Sequence, residues 1–137
     1  MGYTGYKNVQ LKNDNLLFPE LSYQVVGVLF KVHNKLGDGL LEKYYQKAIA
    51  EFLTLENIPF KEQVEVQLII GGKVTAKGYI DFLIDDKIVL EIKRGDRFNK
   101  KNIEQIYSYL KLIDKQLGIL VNFTSIGVQF KRIVNVK

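Results

Sequence analysis

The sequence predicts an α/β domain whose elements run ααβββαββ. Three observations carry that expectation. Apolar residues recur at helical spacing in three segments, β-branched and aromatic residues gather into five runs, and glycines or acids interrupt those runs where turns belong. At 137 residues, with 47% hydrophobic content and two prolines, the chain suits one compact domain with its own core. No internal repeat divides it. Residues 1–17, rich in Asn, Lys and Gly and without periodicity, read as a loose N-terminal arm, leaving 18–137 as the single domain.

Pro19 and Ser22 provide start signals for a helix through about residue 35, with Val26, Leu29, Phe30 and His33 on one i, i+3, i+4, i+7 stripe. Leu36-Gly37-Asp38-Gly39 ends it. A second helix is expected from about residue 40 to 56, its stripe made by Leu41, Tyr45, Ala48, Ile49, Phe52 and Leu53. Strands follow at about 60–70, 73–84 and 88–94, with Gly71-Gly72 as the first hairpin turn. A third helix over about 100–115 carries Ile103, Ile106, Tyr107, Leu110 and Ile113 on one face and Gln105, Tyr109 and Leu112 on another, so both faces should be occupied. Two more strands read at about 117–123 and 127–135.

The chemistry concentrates on the middle hairpin. Asp81 stands ten residues before Glu91-Ile92-Lys93, inside two apolar runs separated by Asp85-Asp86-Lys87. Side chains alternate along a strand, so Glu91 and Lys93 share a face. Asp81 joins them only if the hairpin is centred on Asp86, pairing 84 with 88 and 81 with 91, which requires a three-residue loop or a bulge. A two-residue turn would send Asp81 to the opposite face. Two carboxylates directly opposite each other destabilise an antiparallel pair by roughly 0.2–1 kcal/mol, and by more if the face is dry. A cation between them resolves the conflict. Lys93 supplies part of that charge, and a hard divalent ion would supply the rest while polarising a phosphate, which is the signature of a metal-dependent phosphodiesterase. The competing reading is a solvated face with scattered charges; Leu83 and Val89 on the same face argue for burial.

Composition excludes other chemistries. Without cysteine there is no disulfide framework or thiolate zinc site, and a single histidine excludes a His-rich metal centre, so a metal must be held by oxygen. No apolar run reaches the roughly 18 residues of a membrane span, and the N-terminus lacks the apolar centre of a secretion signal, so a cytoplasmic protein without a membrane partner is expected. The net charge of +5 permits a polyanionic partner. Lys93, Arg94, Arg97, Lys100 and Lys101 crowd nine residues against the lone acid Asp96, as phosphate-gripping groups or as a solvated loop.

Other polar residues carry two readings each. Glu42 lies about 20° from Ile49 around the second helix, at the margin of its inward stripe, either half-buried or snorkelling. Gln105 is placed to hydrogen-bond a carboxylate, a bound water or a nucleic-acid backbone, with Tyr109 stacking or donating beside it, or else it faces solvent. His33 on its apolar stripe reads first as a satisfied core histidine.

Taken in order, Val32-His33-x-x-Leu36-Gly37-x-Gly39-x-x-Glu42-x-x-Tyr45, Asp81, Glu91-x-Lys93, Gln105-x-x-x-Tyr109 and Leu120-Val121-Asn122-Phe123 resemble the GxxExxY proteins of the PD-(D/E)xK nuclease superfamily, over about residues 20–135. The resemblance implies a restriction-endonuclease-like core, a central mixed sheet flanked by helices. It also implies Glu42, Asp81 and Glu91 as acidic metal-site positions, Lys93 as the catalytic lysine and Gln105 as the glutamine on the following helix. Asp38, Tyr79 and Asn102 depart from the residues common at their positions, which bears on substrate contacts more than on metal binding.

The expected activity is therefore hydrolysis of phosphodiester bonds with Mg²⁺ or Mn²⁺, DNA being the expected nucleic acid. Asp81 and Glu91 act as metal ligands in this reading, and Glu42 completes the site or holds a bound water. Lys93 orients the attacking water and Gln105 positions ligands, while Arg94, Arg97, Lys100, Lys101 and Tyr109 contact nucleic acid; His33 and Tyr45 are further candidates. A homodimer would let so small a chain span a duplex. Two competitors stand beside it: a non-catalytic nucleic-acid-binding or interaction module on the same fold, and a buried ion-pair network that only sets strand register.

Overall fold

The computed structural model describes residues 17–94 and 98–136. Of the expected N-terminal arm, residues 1–16 lie outside this set, and Leu17 is buried against the core. The elements are α1 (Pro19–Leu36), α2 (Glu42–Leu55), β1 (Phe60–Ile70), β2 (Lys73–Ile84), β3 (Ile88–Ile92), α3 (Lys100–Leu112), β4 (Leu117–Thr124) and β5 (Gly127–Val134), the order expected from the sequence.

The strands form one mixed sheet in the spatial order β1-β2-β3-β4-β5. All neighbours are antiparallel except β3 and β4, which are parallel and joined through α3, since a parallel pair needs a crossover too long for a tight turn. Gly71 and Gly72, both at positive φ, close the β1–β2 hairpin between the paired Ile70 and Lys73. The β2–β3 loop has three residues and pairs Ile84 with Ile88, the register that centres the hairpin on Asp86. Asp85 and Asp86 adopt φ of 51° and 56°, a left-handed conformation that aspartate tolerates better than most residues. The Lys87 N–H donates to the Ile84 carbonyl at 2.9 Å to close the turn.

Two apolar layers sandwich the sheet. Val25, Val28, Leu29 and Val32 of α1 and Ile49 and Leu53 of α2 pack with Ile84, Ile88, Leu90 and Ile119 on one side. Ile106 and Leu110 of α3 pack with Leu83, Val89, Leu120 and Ile133 on the other. Along β3, Ile88, Leu90 and Ile92 belong to the first layer and Val89 to the second, as period-2 alternation demands.

β2 breaks that rule at one point. Ile84 and Phe82 face the first layer, yet Ile80, two residues further, belongs to the second. β1 turns over with it: Phe60 packs on the first layer and Val64 and Val66 on the second, with Gln63 between them at φ 50°. The ladder pairs Glu62 with Phe82 and Val64 with Ile80, but not Gln63 with Asp81. Asp81 therefore sits where both strands change face.

Several sequence expectations are corrected in detail. The buried stripe of α1 runs through Val25, Val28, Leu29 and Val32; Phe30 is exposed and His33 half-buried, because the sheet meets the helix one residue round from the expected line. Ser22 does not cap that helix but lies buried inside it, accepting a hydrogen bond from Arg132 Nη1. α2 begins at Glu42 and leaves Leu41 exposed, β3 ends at Ile92, and α3 ends at Leu112, with Leu112 and Tyr107 exposed.

Candidate active site

Asp81 and Glu91 are the buried carboxylates of the described residues, 9% and 3% exposed. They meet where the β2–β3 ladder gives out. Backbone pairing extends through Phe82 with Leu90. One step on, side chains replace it: the Asp81 N–H donates to Glu91 Oε2 at 2.6 Å, and the Ile92 N–H donates to Asp81 Oδ2 at 2.8 Å. Each carboxylate thus spends one oxygen on the partner strand's backbone and leaves the other oxygen, Asp81 Oδ1 or Glu91 Oε1, for other partners. The face change at Gln63 and Asp81 creates this opportunity, because it removes Asp81 from the regular exchange of backbone bonds.

Two glutamines hold Asp81 from the other side. Gln46 Nε2 donates to the Asp81 carbonyl at 3.2 Å, and Gln63 Nε2 approaches Asp81 Oδ1 at 3.4 Å. Sequence reasoning missed both. Gln46 was within reach, one helical turn after Glu42 on the same face. Gln63 had no signal, because its role follows from a backbone twist that no residue type announces.

Lys93 follows β3 and is half-buried. Its Nζ donates to Gln105 Oε1 at 2.9 Å and stands 3.8 Å from Glu91 Oε1. The sequence placed Gln105 beside the site; the structure shows it fixing the ammonium rather than a carboxylate. Glu42, the first residue of α2, is half-buried, and burial and then the Asp81 charge push its carboxyl above the usual range. Asp81 is raised by burial against the hydrogen bonds that oppose it. Glu91 is pushed up to about 8, by burial first and by the Asp81 charge second. Lys93 lowers all three without restoring them.

Among the described residues no three His, Cys, Asp or Glu side chains are gathered closely enough to make a metal-ligand cluster. The residues that could hold a cation are the carboxylate pair Asp81 and Glu91, with Glu42 coupled electrostatically to Asp81. The pair's chemistry fits a hard divalent cation: among the described residues Asp81 Oδ1 and Glu91 Oε1 meet only the distant Gln63 and Lys93, at 3.4 and 3.8 Å, and such an ion keeps several waters of its own.

Of the remaining candidates, Tyr109 is half-buried, and its hydroxyl is hydrogen-bonded with the Tyr79 backbone. A Cβ on Gly78 would lie 2.7 Å from that hydroxyl, so glycine is what lets the tyrosine settle on β2. Arg94 and Lys101 are exposed, Lys100 lies 4.0 Å from Glu104, and Arg97 lies outside the described residues. His33 and Tyr45 serve the architecture around the site. Their rings stack with Phe123 of β4, at centroid distances of 6.4 and 4.6 Å. His33 Nε2 bonds the Thr124 carbonyl, and the Tyr45 hydroxyl donates to the Gly37 carbonyl at 2.8 Å, tying down the α1–α2 connection. A cleft of about 350 Å³ opens beside the carboxylates, between that connection, Ile92-Lys93-Arg94 and the β4–β5 turn.

This arrangement agrees with comparisons to known proteins. The model of the PD-(D/E)XK nuclease superfamily matches residues 19–133, most of the chain, and the protein belongs to that family. Its fold, a mixed five-stranded sheet flanked by three helices, is the restriction-endonuclease-like core of that class, whose reaction is hydrolysis of phosphodiester bonds. Among solved structures the chain is similar to an alkaline exonuclease, LHK-Exo, from Laribacter hongkongensis, at 12% identity over 84% of this chain and 82% of that one with a TM-score of 0.49. It is also similar to SSO0001, at 22% identity over 85% and 79% with a TM-score of 0.46. No curated protein matches the sequence. Among the described residues no helix is long and apolar enough to cross a membrane.

Proposed function

We propose that the protein is a Mg²⁺- or Mn²⁺-dependent nuclease acting on DNA, of the GxxExxY group within its superfamily. The observation that carries this reading is the buried pair Asp81 and Glu91. Their desolvated like charges, with Glu91 pushed up to about 8, are left under-compensated by the protein's own Lys93. Such a pair is costly as a structural device and favourable as a cation site, since a buried charge without compensation costs several kcal/mol.

A divalent ion bound there would polarise the scissile phosphate and lower the pKa of water. The chain's residues do the rest. Asp81 Oδ1 and Glu91 Oε1 are the oxygens that would hold the ion. Lys93, steadied by Gln105 Oε1, orients the attacking water and offsets the charge that builds on the phosphoryl oxygens in the transition state. Glu42, half-buried and with a raised pKa, stands ready to accept a proton from that water. Arg94, beside Lys93, contacts the flanking phosphate.

The reading is tested by calorimetric titration of Mn²⁺ into wild type and Asp81→Ala, followed by plasmid and single-strand cleavage in the same buffer. Expected are binding and cleavage by wild type and loss of both in the variant. Wild type that neither binds Mn²⁺ nor cuts, yet retains salt-dependent DNA binding, would move the assignment to a non-catalytic module.

A further inference from the structure

Resting on the nuclease reading, we infer that the cleft beside the carboxylates receives one unstacked nucleotide next to the scissile phosphate, so that the substrate is single-stranded or frayed DNA rather than an intact duplex. The cleft's volume, about 350 Å³, lies at the small end of the range for small-ligand sites, which suits one nucleotide better than a base-paired step. It shares Glu42, Ile92, Lys93 and Arg94 with the chemistry. Ile92 donates its N–H to Asp81 Oδ2 while its side of the strand lines the cleft, and Lys93 lines it while reaching Glu91.

Its lining is mixed as a nucleotide is mixed. The cations Lys93 and Arg94, suited to a phosphate, line it together with the acids Asp38 and Glu42. The lining also includes Gln129, whose amide supplies a donor and an acceptor as a base edge requires, opposite its cross-strand partner Asn122 in the β4–β5 ladder. Leu40 and Ile126 add exposed apolar side chains to the lining. Ile126, at the tip of the β4–β5 turn, is 87% exposed, an apolar side chain projecting into solvent from a loop with no core beneath it. Apolar residues so placed are suited to cover an extruded base or to wedge between neighbours. Paired and stacked bases cannot enter the cleft without leaving the helix, whereas a single strand bears that cost already.

Two measurements decide the matter. In the first, wild type with Mn²⁺ cuts one oligonucleotide as a single strand and as a blunt duplex, alongside Ile126→Asp and Gln129→Ala. The single strand is expected to be cut at least about tenfold faster, and each variant to raise KM about tenfold with kcat nearly unchanged, the loss of one stacking or edge contact. In the second, metal-free protein is titrated with dTMP and followed by methyl NMR, with shifts expected at Leu40 and Ile126. Equal cutting of both substrates with unaffected variants overturns the inference while leaving the nuclease standing. Should wild type cut nothing, the nuclease reading fails separately, and the dTMP titration still decides the cleft: shifts at Leu40 and Ile126 retain it as a nucleotide site, and their absence removes it.

Discussion

Ile84, where β2 ends, and Asp81 lie three residues apart and obey opposite rules. At Ile84 the strand is an ordinary buried β-strand, in register with Phe60 on one side and Ile88 on the other, its side chain in the layer beneath α1 and α2. At Asp81 the ladder pairing is absent, the strand changes face, and carboxylates take over the work of carbonyls. The first residue contributes stability through burial, on the order of 1.5–3 kcal/mol for a side chain of that size. The second consumes it, because desolvated like charges are placed together. Function occupies the stretch where the local rule is broken, and the regular stretch next to it supplies the rigidity that makes the break tolerable.

The largest effects should separate the two positions cleanly. Asp81→Ala and Lys93→Ala are expected to reduce cleavage by about 10³-fold or more while leaving the melting temperature within a few degrees or higher. Ile84→Ala should do the reverse, costing about 2–5 kcal/mol in chemical denaturation through the cavity it leaves, with near-normal kcat in the folded fraction. If Asp81→Ala instead unfolds the protein, the carboxylates set the register of β2 and β3, and the ion-pair reading displaces the metal site.

How far the sequence revealed this contrast depends on the interaction's range. Period-2 alternation tied the meeting of Asp81 with Glu91 to a hairpin centred on Asp86 without choosing it over a two-residue turn, and the fold has that register. Helical periodicity found all three helices, yet it misplaced α1's buried line by one residue, since an apolar stripe broad enough to include Val25, Val26, Val28, Leu29 and Phe30 does not say which part meets the sheet. The face change at Gln63 was invisible. It depends on two strands turning together, and neither residue type nor spacing encodes it. The same holds for the cleft, which is assembled from three segments separated by tens of residues.

An intermediate effect tests the electrostatic half of the comparison. The Glu91 carboxyl, pushed up to about 8 in the fold against 4.5 for an ordinary glutamate, binds its proton more tightly folded than unfolded. In metal-free protein its contribution is fully present below about pH 4.5 and is lost as pH rises through about 8. Thermal melts in EDTA should therefore fall across that window. Glu91→Gln should flatten the slope and stabilise the protein at pH 8 by on the order of 1–3 kcal/mol. In wild type, added Mn²⁺ should reverse the trend, because a bound cation favours the ionised form. A melting profile identical in wild type and Glu91→Gln would mean that Glu91 is far better compensated than its burial and its neighbour Asp81 imply.

The smallest effect concerns the scaffold around the site. The Tyr45 ring stacks on Phe123, while its hydroxyl ties down the α1–α2 connection at Gly37. Tyr45→Phe removes the bond donated to the Gly37 carbonyl and the longer one accepted from the Leu40 N–H, so the expected loss is about 0.5–1.5 kcal/mol per bond in stability. Tyr45→Ala also removes the stacked ring and should cost about 3–5 kcal/mol. Because the same connection walls the cleft through Asp38, Gly39 and Leu40, Tyr45→Phe should raise KM for a single-stranded substrate several-fold with kcat retained, whereas a variant of the carboxylates lowers kcat itself. A drop in kcat equal to that of Lys93→Ala would show that the hydroxyl reaches the reacting groups, and would move Tyr45 from the frame of the site into its chemistry.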